Sequence, residues 1–281
     1  MACCIAGAVL AGHLTARSET PSVRVRVLRL VDRSRLAHYR NGTSGPRVLL
    51  TTVRYPAGSR GPLPLVVFAH GFALTPDTYA QLLDAWARAG FVVAAPLFPV
   101  EGADAPGGPS QADLLNEPGD LRFVVSRLTG PTSPLHGIVD ASRVGVAGHS
   151  DGAEAALSAA FDPRFRDRRI RAAVIMSGAA LPGFAGAPAG SPPMLAVQGT
   201  SDPINQPATT TAYFRLMRRP KFLLWLLGAS HLPPYSTVDR WSSVVDRATV
   251  AFLDRYLRGG PSRPLVAAGT HSGFARIVSD P

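Results

Sequence analysis

The sequence predicts an α/β fold, a mostly parallel central sheet with helices on both faces and no large lid domain. Two observations predict it. Short, almost continuously apolar runs bounded by glycine and proline recur at 65–69, 91–95, 144–147, 172–176, 194–198 and 222–227. Strands read this way when helices cover both faces of a parallel sheet, because neither face meets water. Segments with helical spacing lie between those runs, and such alternation is what crossover connections produce.

Ahead of the apolar runs, residues 23–31 and 48–55 alternate polar and apolar side chains, as half-exposed antiparallel strands do. Pro76 and Asp77 open a helix that continues to Ala89, with Leu82, Leu83 and Trp86 at helical spacing and Gly90 as its stop. Further helices are expected over 114–128, 152–160, 209–217 and 241–257, the last closed by Gly259, Gly260 and Pro261. The Pro/Gly-rich stretches 100–109 and 181–193 read as surface loops, each too short for a lid of several helices. No internal repeat is present. One domain over 21–260 accommodates these elements, and 261–281 reads as a tail with weak signals.

Hydrophobic residues make up 46% of the 281-residue chain and charged residues 17%, which supplies one sizeable core and argues against disorder throughout. The formal charge of +10 comes almost wholly from arginine, since Lys221 is the only lysine. Its densest cluster, Arg164, Arg166, Arg168, Arg169 and Arg171, lies in a short loop-like stretch, so it reads as a solvated surface and no nucleic-acid partner is expected. The only cysteines, Cys3 and Cys4, are adjacent and staple nothing in the body of the chain. Residues 1–20 begin with an apolar segment similar to the hydrophobic part of a secretory signal, though without its positive start; on this cue a secreted or envelope-associated location is favoured over the cytoplasm. No later segment is long and apolar enough for a transmembrane helix. Oligomeric state is not legible.

The strongest chemical signal is Gly148-His149-Ser150-Asp151-Gly152, a G-x-S-x-G turn between an apolar strand and a small-residue helix. Such a turn strains the serine backbone and needs small neighbours, while the helix N-terminus behind it favours developing negative charge. A serine hydroxyl needs a base to become a nucleophile. His231 is the candidate, in the loop after the strand 222–227; His13, His38, His136 and His271 lie away from confident strand ends. The base needs an acceptor for its second N–H. Asp202, after the strand 194–198, completes the chain order Ser, Asp, His, with Asp239 and Asp246 as weaker rivals. Backbone N–H groups must also face the oxyanion of a tetrahedral intermediate. Phe72, in His70-Gly71-Phe72 after the strand 65–69, and Asp151 are the expected donors, with Gly71 allowing close approach and His70 bracing the loop.

In these motifs the sequence resembles the α/β-hydrolase superfamily from about Val48 to Leu257. The stretch VVFAHGFALTPDTYAQLLDAWARAGFVVAAPLFP, the elbow GHSDG, and GTSDP followed by GASH are similar to the branch of chlorophyllases, dienelactone hydrolases and bacterial cutinase-like polyesterases. The resemblance implies an α/β-hydrolase fold and a cofactor-free hydrolase acting on small or polymeric carboxylic esters. Two departures stand out: the polyesterases usually carry an apolar residue where Asp151 follows the nucleophile, and the tail cysteine pair of secreted cutinases is missing. The Asp151 side chain is therefore expected to point to solvent or to bond locally. A lipase, a cutinase-like polyesterase or an acyltransferase would share the pattern, and a non-catalytic binding protein on the same fold is the alternative of another class. No zinc-ligand spacing and no phosphate-cradling glycine motif occurs, so neither a metal nor a nucleotide cofactor is expected.

Overall fold

The computed structural model describes residues 21–59, 61–261 and 263–280. The apolar segment 1–20, with Cys3 and Cys4, lies outside them. Two long antiparallel strands, β1 (Val23–His38) and β2 (Ser44–Pro56), precede β3 (Leu63–Ala69), β4 (Val92–Leu97), β5 (Val139–His149), β6 (Ile170–Met176), β7 (Met194–Gly199), β8 (Lys221–Leu226) and β9 (Ala275–Asp280). All nine join one sheet in the order β1-β2-β4-β3-β5-β6-β7-β8-β9. From β4 to β8 neighbouring strands are parallel, and antiparallel pairs flank them at both edges.

The helices are α1 (Ala80–Arg88), α2 (Glu117–Thr129), α3 (Asp151–Phe161), α4 (Pro207–Arg215), α5 (Pro233–Ser236), α6 (Arg240–Arg258) and α7 (Arg263–Gly269). They divide the apolar interior into two layers. Leu121, Val124, Leu157, Phe161 and Tyr213, from α2, α3 and α4, pack on one face of the sheet. On the other, Trp86 of α1 meets Val244, Ala248 and Phe252 of α6. Burial on both faces is the reason the central strands read as unbroken apolar runs. Trp86 also donates its indole N–H to Thr249 Oγ1 at 2.8 Å, which satisfies the one polar atom that a buried tryptophan carries.

The structure differs from the sequence reading in β1, in the starts of two helices and beyond Pro261. β1 continues past Val31 to His38 through an irregularity between Asp32 and Leu36. There Asp32 accepts from the Ser34 N–H (2.9 Å) and from the Arg35 Nε (2.7 Å), so polar side chains form the bulge and hide the alternation. The helices expected from Pro76 and Leu114 each begin as a 3-10 turn, at Pro76–Tyr79 and Gln111–Asn116, before the α-helical hydrogen bonding starts. Beyond Pro261 the chain forms α7 and then β9, which pairs antiparallel with β8 from Lys221↔Asp280 to Leu226↔Ala275.

A buried cation fixes the segment that later overhangs the site. Arg47 of β2 is fully buried and donates Nη1 and Nη2 to Asp113 (2.9 and 2.5 Å) and Nε and Nη2 to Asp120 (2.8 and 2.5 Å). One guanidinium thus ties the strand to the 111–116 turn and to α2. Its planar fork makes a two-point contact with each of two carboxylates at once, and a lysine ammonium has too few donors for that.

Candidate active site

β5 ends at His149, and α3 starts at Asp151. Between them Ser150 turns the chain with φ 55° and ψ −126°, a conformation that costs a non-glycine residue strain and is held by its surroundings. Its N–H donates to the Met176 carbonyl (3.0 Å), and its carbonyl accepts from the N–H groups of Ala153 (2.8 Å) and Glu154 (3.2 Å). The flanking glycines have a steric reason. A Cβ on Gly148 would strike the Gly152 backbone, and one on Gly152 would strike the carbonyls of Ala69 and His70.

The loops after β7 and β8 meet at this turn. His231 Nε2 lies 3.0 Å from Ser150 Oγ, and its Nδ1 lies 2.8 Å from Asp202 Oδ2. Asp202 is buried and also accepts the N–H groups of Ile204 (2.9 Å) and Asn205 (3.0 Å) on Oδ1. Gln198, at the end of β7, donates Nε2 to Asp202 Oδ2 (3.3 Å) and to the Asn205 carbonyl (2.9 Å), while its Oε1 accepts from Thr210 (2.7 Å). The carboxylate is therefore aimed by backbone and side chain alike, and an imidazole N–H directed at it fixes the tautomer that leaves Nε2 free to accept from the serine. Asp239 caps the start of α6 through Ser242 N (2.7 Å), and Asp246 bonds Gln81 (3.2 Å), so the two rival aspartates serve other partners.

The loop after β3 approaches from the opposite side. His70 is fully buried; its Nε2 accepts the Phe98 N–H (3.0 Å), which leaves Nδ1–H to donate to the Gly71 carbonyl (2.9 Å). Burial pushes this imidazole down to about 4, so it stays neutral and braces the loop. The Phe72 N–H has no acceptor among the described residues, and the Asp151 N–H opens α3, where a helix has no internal acceptor to offer.

His149 points away from Ser150 into the protein. Its Nε2–H donates to the His231 carbonyl (2.9 Å), leaving Nδ1 to accept the Tyr79 hydroxyl (2.8 Å). The Tyr79 oxygen in turn accepts the Gly71 N–H (3.1 Å). Burial, and then the neighbouring His231 ring, push His149 down to about 3. Burial also raises the Tyr79 phenol, so it keeps its proton. Neither Tyr79 nor Gln198 is singled out by the sequence. Gln198 left a signal, an amide ending an otherwise apolar strand; Tyr79 left none.

A cavity of about 460 Å³ opens above Ser150. Phe72, Leu74, Pro203, Ile204 and Leu232 give it apolar walls, and Phe72 and Ile204 remain 37% and 67% exposed at its rim. The polar exceptions include Gln111 and Asp151. Contrary to the expected solvent-facing or local arrangement, Asp151 is only 7% exposed, and its Oδ2 accepts Gln111 Nε2 at 2.6 Å from a distant turn. Beneath it lie Glu101 and Glu117, both fully buried, with no hydrogen-bond partner for either carboxyl among the described residues. Burial raises both acids far above the ordinary range, and the charge of Asp151 pushes Glu101 further.

In the arginine cluster, Arg164 and Arg169 are ion-paired with Asp162 and Asp167. Among the described residues no group of three or more His, Cys, Asp or Glu is arranged to hold a metal ion, and no helix is long and apolar enough to cross a membrane. A family model described as PET hydrolase-like matches residues 31–263. The structure is similar to that of a ferulic acid esterase from Streptomyces cinnamoneus, with a TM-score of 0.72 and 26% identity over 89% of this chain and 94% of that one. No curated protein matches the sequence.

Proposed function

The chain belongs to the PET hydrolase-like family and is a serine hydrolase of carboxylic esters, and from that premise we propose that Ser150, His231 and Asp202 cleave the ester through an acyl-enzyme. The observation that carries the reading is the hydrogen-bonded series Ser150 Oγ, His231 Nε2, His231 Nδ1, Asp202 Oδ2, with steps of 3.0 and 2.8 Å. His231 Nε2 takes the serine proton as Oγ attacks the ester carbonyl, and Asp202 stabilises the imidazolium that results. Charge builds on the former carbonyl oxygen. The free N–H groups of Phe72 and Asp151 receive it, and the N-terminus of α3 adds to the field.

The tetrahedral intermediate then expels the alcohol, which leaves with the proton held on His231. Water enters, loses a proton to the same nitrogen and attacks the acyl carbon. A second tetrahedral intermediate collapses to the free acid, and the proton returns to Ser150. No cofactor takes part. The names of the matching family and of the similar structure point to esters of aromatic acids, and two features of the cavity fit such an acyl group: the Phe72 wall and the open, apolar rim at Ile204.

Ser150→Ala is the direct test. Assayed on p-nitrophenyl butyrate and methyl ferulate, it should lose about three or more orders of magnitude in kcat while unfolding at the parental temperature. Undiminished turnover would remove Ser150 from the mechanism.

A further inference from the structure

The chemistry assigned to Ser150 leaves unexplained a buried polar chain that runs alongside it. The end of β5 and the loops after β3 and β8 contribute one member each, and the 3-10 turn before α1 contributes the fourth. Its links are Gly71 N–H to Tyr79 Oη (3.1 Å), Tyr79 O–H to His149 Nδ1 (2.8 Å) and His149 Nε2–H to the His231 carbonyl (2.9 Å). We propose that Tyr79 and His149 are positioning residues that hold the oxyanion loop and the general base in one register about the nucleophile.

The direction of each link is fixed. A backbone N–H at one end can only donate, and a backbone carbonyl at the other can only accept. The two groups between them must each accept on one side and donate on the other. That condition is met by a protonated phenol and a neutral imidazole carrying its proton on Nε2, and any other protonation pattern breaks a link. Tyr79 and His149 are both fully buried, so water does not compensate for a broken one.

The two ends lie where catalysis is most sensitive. Gly71 precedes Phe72, whose N–H has no acceptor among the described residues and is assigned above to the oxyanion, and the far carbonyl belongs to His231 itself. The His149 ring is also packed between those of His231 and Tyr235, with centroids 4.6 and 4.8 Å away. Tyr235 is anchored in turn by Ser177 Oγ at 3.0 Å, and the Ser177 carbonyl holds Asn205 of the Asp202 loop at 2.6 Å. Each loop that supplies a reacting group is thereby referenced to one imidazole that does not react. Oxyanion donors and base act on the transition state within a few tenths of an ångström, so slack in this chain should lower kcat and leave binding in the apolar cavity alone.

The proposal rests on the assignment of Ser150 and is tested beside Ser150→Ala. Tyr79→Phe removes one hydroxyl and nothing else. Per active site titrated with a fluorophosphonate, it should lower kcat on p-nitrophenyl butyrate by about ten- to a hundredfold with KM within about twofold. Counting active sites removes any loss due to unfolded protein, which is the only effect that a merely structural role would produce. In a second pair, His149→Gln keeps an N–H for the His231 carbonyl and should retain more kcat than His149→Leu. Parental kcat per site in Tyr79→Phe, a loss confined to KM, or equal rates in the Gln and Leu variants would overturn the coupling while an inert Ser150→Ala left the nucleophile assignment standing. An active Ser150→Ala would bring down both.

Discussion

Asp151 places a carboxylate next to the Ser150 hydroxyl, whose proposed reaction builds negative charge. The structure accommodates it by turning Oδ2 onto the Gln111 amide and by keeping protons on the acids below it. The charge still lines the cavity, and none of the lining side chains there is Arg or Lys. At a separation of roughly 5 Å and an effective dielectric constant near 20, a substrate anion would be opposed by about 3 kcal/mol before screening. The consequence is selectivity by charge. Relative to the parent, Asp151→Asn should raise kcat/KM for a p-nitrophenyl hemisuccinate over the isosteric neutral ester by about tenfold, since salt and solvent remove part of the full repulsion. An unchanged ratio of the two substrates would show that the carboxylate does not face the acyl group. Why this position was legible only in part is a matter of reach. A glycine-flanked serine between strand and helix declares itself locally, as does the histidine after a late strand. The partners of Asp151, Tyr79 and His149 lie 40, 70 and 82 residues away along the chain, and no local pattern encodes such convergence.

At the scale of elements, the parallel strands were readable because two helical layers exclude water from both faces and select apolar side chains at every position. Where that condition lapses, so does the pattern. β9 (Ala275–Asp280) has only Ile277 and Val278 as large apolar residues, side by side, and it is an edge strand that the sheet needs on one side only. The far half of β1 is masked by the polar bulge around Asp32. Least legible of all was the junction of β2 with the 111–116 turn and α2, because an arginine in a half-exposed strand gives no hint of being buried. Yet Arg47 neutralises Asp113 and Asp120, and this junction carries Gln111 over the cavity. Arg47→Met fills a similar volume, strips buried Asp113 of its cation and leaves Asp120 with Arg35 alone, at 2.6 Å. Removing one partner of a buried ion pair costs about 3–5 kcal/mol, so the midpoint of urea unfolding should fall by the equivalent of that amount. The triple variant Arg47→Met, Asp113→Leu, Asp120→Leu should recover much of it, because no charge is then left unpaired. Equal midpoints for parent and single variant would mean that the pair contributes nothing beyond its volume.

For the molecule as a whole, buried ionisable groups make stability depend on pH in two opposed ways. Burial lifts Glu154 from an ordinary 4.5 to about 7, and it lifts Glu101 and Glu117 as well. A carboxyl whose folded value is raised binds protons in the native state that the unfolded chain has already lost. Its contribution is complete below about 4.5 and disappears as pH climbs through the folded value, so stability should decline from mildly acid towards alkaline pH. His70 and His149 act at the other end. Burial lowers them from 6.5 to about 4 and about 3, so the unfolded chain binds protons that the native state refuses, and their contribution is lost as pH falls below 6.5. The two sets together give a dome with its top on the acid side of neutrality, and its alkaline limb belongs to the carboxyls. Glu101→Gln keeps the volume and hydrogen-bonding capacity of the protonated acid while removing its titration. Urea unfolding followed from pH 5 to pH 9 should therefore show the variant overtaking the parent above neutrality and falling less steeply. If the two curves stayed parallel across that range, the proton that burial keeps on Glu101 would not be the source of the limb. The acid cluster beneath Asp151 would then have to be ionised and compensated in some other way.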